Sequence, residues 1–145
     1  MNMHSNDYLK NQIATASKEQ LLIMFYDGAI RFTAQARHAV DNNDISGRTY
    51  GINKASAIIT ELAATLDHKI GKKIAEDLDA LYAYMLNELN LANIKNDGSR
   101  LEIVENLLSD LRKTWVEAIK IQRQETHGVT ANPQKATHQP LSVAM

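Results

Sequence analysis

Four stretches of the chain repeat apolar side chains every three or four residues, which places those side chains on one face of an α-helix. No stretch shows the strict alternation of a half-buried β-strand, so the pattern predicts an all-α fold. The predicted core positions of the four helices are Leu22, Phe25, Ala29, Phe32, Ala36 and Val40; Ile52, Ala55, Ile59, Leu62 and Leu66; Ala75, Leu78, Tyr82, Met85, Leu89 and Ala92; and Leu101, Val104, Leu108, Leu111, Trp115 and Ala118.

Short polar turns separate these helices, at residues 41–44, 67–71 and 96–98. Helices of about 20 to 25 residues rise 1.5 Å per residue and are about 30 to 37 Å long. Connections that are short relative to this length favour antiparallel neighbours. The pattern therefore predicts an antiparallel up-down-up-down four-helix bundle, with crossing angles near 20°.

Two Ser-x-x-Gln/Glu sequences have the spacing of a capping box, in which two side chains satisfy free backbone N–H groups at a helix start. Ser17 with Gln20 predicts a helix that begins at Lys18, and Ser99 with Glu102 predicts the start of the fourth helix. Gly28 lies within the first of these helices, where glycine costs about 1 kcal/mol relative to alanine. This cost indicates a close backbone approach at Gly28.

The two ends of the chain differ from its middle. Residues 1–16 hold few large apolar side chains, mainly Tyr8, Leu9 and Ile13, and are expected to form a short capping segment on a groove rather than a core of their own. Residues 126–145 contain both prolines of the chain and many polar residues, which predicts a flexible tail. Residues 1–125 are thus expected to form one domain.

Composition excludes several classes of protein. Sixteen basic and seventeen acidic side chains give a net charge of −1, so no nucleic-acid partner is expected. The chain has no cysteine, no apolar signal sequence at its start and no run of the roughly 20 apolar residues that a membrane span needs. These features predict a cytoplasmic protein without membrane insertion.

No motif indicates catalysis or a metal site. The five histidines are scattered, and no Glu-x-x-His pair of a di-iron bundle occurs. A phosphate-binding loop, a nucleophile elbow and a helical zinc motif are also absent from the sequence. We therefore expect no enzyme activity, no metal and no cofactor.

Apolar residues are more abundant than one core face per helix requires. A second stripe on the first helix holds Ile23, Tyr26 and Ile30, and further members on later helices are Leu81, Tyr84, Leu91, Ile103 and Leu107. The stripe either widens the core or stays near the surface as a binding site, and periodicity leaves both alternatives open. Trp115 and Tyr82 are expected in the core.

Several of these segments, in this order and spacing, resemble the flagellin export chaperone family, FliS. The similarity spans Tyr8 to Ala118, whereas the tail after Glu125 has no counterpart. Two departures are Lys18, where the family often has proline, and Phe25, where it has leucine. The matching pieces are Tyr8, Thr15-Ala16-Ser17, Glu19-Gln20-Leu21, Tyr26-Asp27-Gly28-Ala29-Ile30, Ile58-Ile59, Leu62, Leu66-Asp67, Gly71, Ile74-Ala75, Leu81-Tyr82-Ala83-Tyr84-Met85, Ala92-Asn93, Trp115 and Glu117-Ala118.

The resemblance implies a cytosolic chaperone that binds the disordered C-terminal segment of flagellin one to one, prevents premature polymerisation and supports delivery to the flagellar export apparatus. It also implies an N-terminal segment that covers a groove, with Tyr8 and Ile13 in apolar pockets of the free protein. Flagellar regulatory or export proteins are further expected partners. The implied partner-binding residues are Tyr8, Ile13, Ile23, Tyr26, Asp27, Ile30 and Asn93.

Three alternatives remain open at this level. A helical-bundle adaptor would bind another amphipathic helical partner. A purely structural bundle would only self-associate, and a weak homodimer through the exposed stripe is compatible with either function. An enzyme would need an inward cluster of titratable groups.

Overall fold

Helices account for nearly all of the part of the chain that the computed structural model describes, which is residues 3–129, with side chains described for residues 7–126. No strand occurs within these residues, and the predicted all-α fold is confirmed. None of the described helices is long and apolar enough to cross a membrane. The helices are α1 (Met3–Thr15), α2 (Lys18–Asp41), α3 (Ile45–Ala64), α4 (His68–Gly71), α5 (Lys73–Lys95) and α6 (Gly98–Val129).

The start of α2 has the predicted capping box. The Ser17 backbone N–H donates to Gln20 Oε1 at 2.8 Å, and the Gln20 backbone N–H donates to Ser17 Oγ at 3.1 Å. These two bonds satisfy donors that the first turn of a helix leaves free. The prediction that α2 begins at Lys18 is confirmed.

The second predicted capping box, Ser99 with Glu102, is wrong. Helix α6 begins one residue earlier, at Gly98, and the Asp97 carboxylate accepts the Ser99 backbone N–H at 3.0 Å and the Ser99 hydroxyl at 2.6 Å. An aspartate next to a helix N-terminus also interacts favourably with the helix dipole. Asp97 therefore does what the sequence assigned to Ser99.

The four long helices form a closed ring of contacts, because α2 and α5 each pack against both α3 and α6. Two ion pairs show the relative direction of α2 and α6: Asp27 pairs with Arg112, and Arg37, further along α2, pairs with the earlier residue Glu105. These two helices are therefore antiparallel. Helix α1 makes few contacts with this ring.

The core faces of α3, α5 and α6 are those predicted, with Leu66, Leu111 and Ala118 only half-buried. The core face of α2 is rotated from the prediction. Tyr26 and Thr33 are fully buried, whereas Phe25, Phe32 and Val40 are half-buried at its flanks. The Thr33 hydroxyl donates to the Ala29 carbonyl at 2.7 Å, which allows a polar residue to take a core position.

The close backbone approach occurs at Gly51 of α3 rather than at Gly28. A Cβ atom on Gly51 would lie 2.7 Å from the Phe32 carbonyl oxygen and 2.9 Å from Ala36 Cβ. A Cβ atom on Gly28 would meet only the end of the Ile58 side chain, at 3.1 Å. Gly51 is thus the residue that lets α2 and α3 come together.

Helix α6 ends at Val129, so it continues past the predicted end of the domain at residue 125. The remainder of the predicted tail, residues 130–145, lies outside the described residues.

Candidate functional site: an apolar groove between α2 and α6

Three aromatic side chains from α2, α5 and α6 meet in the core. The hydroxyl oxygens of Tyr26 and Tyr82 share a hydrogen bond of 2.5 Å, and Trp115 Nε1 donates to Tyr26 Oη at 3.1 Å. Burial raises the pKa of Tyr26, an effect that the hydrogen bonds from Tyr82 and Trp115 partly offset. Burial also raises the pKa of Tyr82, so both phenols remain neutral at physiological pH.

Tyr26, one of the implied partner-binding residues, is not a surface residue of the free protein. Its side chain is 0% exposed. The tyrosine ring brings a large apolar area into the core, and its hydroxyl finds partners on two other helices, so burial leaves no polar group unpaired. Tyr26 thus holds α2 against α5 and α6 through its two hydrogen bonds.

Beside this cluster, the surface opens into a cavity of about 840 Å³ between the first half of α2 and the second half of α6, which we call the α2–α6 groove. Its floor is mainly apolar, and polar and charged side chains form the rim. Ile23 is the predicted partner-binding residue that lines it. The lining residues are Gln12, Thr15, Ala16, Glu19, Gln20, Ile23, Met24, Val116, Ile119, Lys120, Arg123 and Gln124.

Two further residues of the predicted partner-binding set lie on the same side of α2 as Ile23. Asp27, one turn later, accepts a hydrogen bond of 2.5 Å from Arg112 Nε and so joins α2 to α6. Ile30 is half-buried and packs against the core. Residues at positions 23, 27 and 30 share one helical face, so this part of the predicted site forms a continuous strip toward α6.

Asn93 lies elsewhere. Its side-chain oxygen accepts hydrogen bonds from Arg48 Nε at 2.9 Å and from Thr49 Oγ1 at 3.2 Å, which tie α5 to the start of α3. The start of α3 adjoins the end of α2, about 20 Å along that helix from Tyr26. Asn93 therefore is not part of the groove.

The N-terminal residues do not cover the groove. The side chains of Tyr8 and Ile13 are 70% and 45% exposed, so neither occupies the apolar pocket that the resemblance implied. Only the last turn of α1, through Gln12 and Thr15, borders the groove. The short connection between α1 and α2 positions this turn, and α1 otherwise projects away from the ring of long helices.

The residues that α6 contributes to the groove are not among those predicted from the sequence. Val116 and Ile119 are three residues apart and share one face of α6, and Lys120 and Arg123 follow on the rim. The apolar spacing of Val116 and Ile119 is a visible signal. Val116 was missed because it lies beside the predicted core face of the fourth helix, and Ile119 was missed because that face was ended at Ala118.

The site has no residue set typical of catalysis. Within residues 7–126, no group of three or more His, Asp or Glu side chains lies close enough to hold a metal ion. An open apolar groove with a charged rim is instead the geometry with which proteins bind amphipathic helices. The fold and the groove together define an all-helical protein with an open apolar groove.

Comparison with known proteins gives its family. Residues 1–122 match the family described as flagellar protein FliS. The flagellar secretion chaperone FliS of Bacillus subtilis is 36% identical over 121 residues, covering 83% of this chain and 90% of the relative. Its counterpart in Campylobacter jejuni is 37% identical over 116 residues, covering 80% and 91%, and that of Salmonella typhimurium is 36% identical over 108 residues, covering 74% and 80%. The chain belongs to the FliS family of flagellar secretion chaperones.

Proposed function

We propose that this protein is a cytosolic export chaperone that binds the disordered C-terminal segment of flagellin. In this role it prevents premature polymerisation and supports delivery of flagellin to the export apparatus. Membership of the FliS family supports the proposal, and the α2–α6 groove is the observation that carries it, because it offers an apolar surface that the fold itself leaves uncovered. The chaperone would work by occupying the surface through which flagellin otherwise self-associates.

The framework of the proposal is an up-down-up-down bundle of α2, α3, α5 and α6. The closed ring of contacts and the antiparallel ion pairs between α2 and α6 support this arrangement. In such a bundle, side chains of facing helices form the core. The α2–α6 groove lies outside this core, where the last turn of α1 meets α2 and α6.

An amphipathic helix of the client would lie along the groove with its apolar face on Ile23, Val116 and Ile119. Rim side chains of both signs, among them Glu19 and Arg123, would contact the polar face of that helix. Asp27 and Ile30 extend the same strip of α2 and give the client helix a second turn of contact. Tyr26 contributes by holding α2 against α6 rather than by touching the client.

Helix α1 is the proposed clamp of this site. Its exposed residues Tyr8, Leu9 and Ile13 are spaced to share one helical face, and its last turn already borders the groove. Because α1 has few contacts of its own, it is free to place this face on a bound helix. Closing α1 over the bound helix would add apolar contact area only when the client is present.

Calorimetric titration of the full chain with the last about 40 residues of flagellin from the same organism tests the proposal; this length corresponds to a two-helix wrap at 1.5 Å per residue. We expect a 1:1 complex, with weaker binding once residues 1–16 are deleted. Undiminished affinity of the deletion variant would contradict the clamp alone. No binding by the full chain would contradict the proposed client and favour a helical-bundle adaptor for another partner.

A further inference from the structure

A second surface, at the contact between α2 and α3, combines two aromatic rings with cations. The rings of Phe32 on α2 and Tyr50 on α3 meet edge to face, with centroids 6.0 Å apart and planes at 74°. Tyr50 remains 55% exposed in this contact. Since Gly51 brings the two helix backbones together beside it, the aromatic pair lies at the close contact between α2 and α3.

A cationic side chain lies over each of the two rings. Arg31 Cζ lies 5.1 Å from the Phe32 centroid, and Lys54 Nζ lies 5.6 Å from the Tyr50 centroid. Both distances fall within the range of a cation–π contact. We call these four residues, Arg31, Phe32, Tyr50 and Lys54, the α2–α3 aromatic face.

Neither cation has a carboxylate partner within the described part of the chain. Four other arginines of the long helices, in contrast, are held by polar side chains: Arg37 by Glu105, Arg100 by Glu88, Arg112 by Asp27, and Arg48 by Asn93 and Asn96. Asp27 is one turn from Arg31 but is bound to Arg112. The α2–α3 aromatic face thus has two positive charges that the fold leaves without an acidic partner.

We propose that this face binds an acidic amphipathic helix of a partner protein, at a site separate from the α2–α6 groove. Carboxylates on the partner would pair with Arg31 and Lys54, and an apolar side chain would rest on Tyr50. Tyr50 and Lys54 are on α3, which does not line the α2–α6 groove, whereas Ile23 lies in that groove, so the two surfaces can be occupied together. The inference goes beyond the proposed function, since it adds a second partner.

A nucleic acid fits the face less well. Proteins that bind nucleic acid through the backbone neutralise several phosphates, commonly about 6 to 10. This face has two cations on a chain whose net charge is −1. An isolated pair of charges beside aromatic rings suits a pair of carboxylates on a helix.

The test uses the full chain labelled with ¹⁵N and two synthetic amphipathic peptides of about five helical turns. The first carries leucine on one face and glutamate on both flanks, and the second has lysine in place of each glutamate. We expect the acidic peptide alone to shift the amide signals around Tyr50 and Lys54. The double variant Arg31→Glu/Lys54→Glu should weaken its binding by about tenfold or more.

The matched control is Lys95→Glu/Lys113→Glu, which reverses two exposed charges elsewhere and should leave binding of the acidic peptide unchanged. Equal binding of both peptides, or shifts confined to the α2–α6 groove, would overturn the proposal. Binding of single-stranded oligothymidine with the same footprint, without binding of the acidic peptide, would also overturn it. Titration of the Arg31→Glu/Lys54→Glu variant with the flagellin segment keeps the two proposals apart, because client binding in the groove should persist.

Discussion

At the scale of single residues, Tyr26 shows what a one-dimensional pattern lacks. Its position on α2 is compatible with a surface stripe, and its hydroxyl needs a hydrogen-bond partner if it is buried. The structure buries it because Tyr82 of α5 and Trp115 of α6 supply hydrogen-bond partners. Such partners lie 56 and 89 residues away in sequence, so the apolar spacing of one helix carries no sign of them.

Substitution Tyr26→Phe keeps the ring but removes the hydroxyl that joins the three helices. We expect the free energy of unfolding to fall by about 1 to 3 kcal/mol, since the buried Trp115 N–H is left without an acceptor. Urea denaturation of the full chain measures this change. Tyr84→Phe, on an exposed tyrosine of α5, should leave stability unchanged; equal stability of the Tyr26→Phe variant and the unsubstituted protein would refute the role of the cluster.

The two glycines of the α2–α3 contact should differ in how much stability is lost on substitution by alanine. Gly51→Ala should destabilise the fold by about 1 to 3 kcal/mol, because the new methyl group would meet the backbone of α2. Gly28→Ala should change stability by no more than about 1 kcal/mol, because the better helix propensity of alanine offsets a small shift of Ile58. Thermal unfolding of both variants gives the comparison, and a larger loss for Gly28→Ala would show that the contact is wrongly placed.

At the scale of helices, the sequence pattern works where apolar residues alone occupy the core. The core faces of α3 and α5 follow from spacing, and the capping box at Ser17 places the start of α2. The pattern fails on α2, where half-buried Phe25 and Phe32 have the spacing of a core face while Thr33 is buried through a local hydrogen bond. It also fails at the start of α6, because the Asp97 carboxylate, rather than the Ser99 hydroxyl, accepts a free backbone N–H of the first turn.

The cap of α6 predicts a pH dependence. The hydrogen bonds from Ser99 hold the pKa of the Asp97 carboxyl below its usual range. A depressed pKa in the folded state stabilises the fold above the pKa of the unfolded chain, about 4 for aspartate, and this contribution is lost as the pH falls through the folded pKa. Asp97→Ala should therefore destabilise the protein at pH 7 and make progressively less difference in acid.

Unfolding curves of Asp97→Ala at pH 7 and at about pH 3 measure this effect. Glu102→Ala is the control, because the predicted capping box gave Glu102 the reciprocal bond to the helix start, whereas the structure leaves that side chain exposed. A loss of stability in Glu102→Ala that matches the loss in Asp97→Ala would restore the original assignment.

At the scale of the whole molecule, the groove brings α6 beside α1 and α2, from which it is distant in sequence. The helix count and the short connections limit the fold to a few arrangements, whereas the excess of apolar residues is compatible with a wider core or with a binding surface. The position of that surface depends on how α2 rotates against α6 and on where the last turn of α1 lies. Ile23 was found from the pattern, whereas Val116 and Ile119 required the packing of α6 to be known.

The central claim is that the α2–α6 groove binds a client without being needed for the stability of the fold. Calorimetric titration of Val116→Asp with the flagellin C-terminal segment tests it most directly, beside Ile121→Asp, an exposed residue of the same helix that does not line the groove. Both variants should keep the free energy of unfolding within about 0.5 kcal/mol, as surface substitutions usually do. We predict that only Val116→Asp weakens client binding, by about tenfold or more; equal affinity of the two variants would contradict the claim.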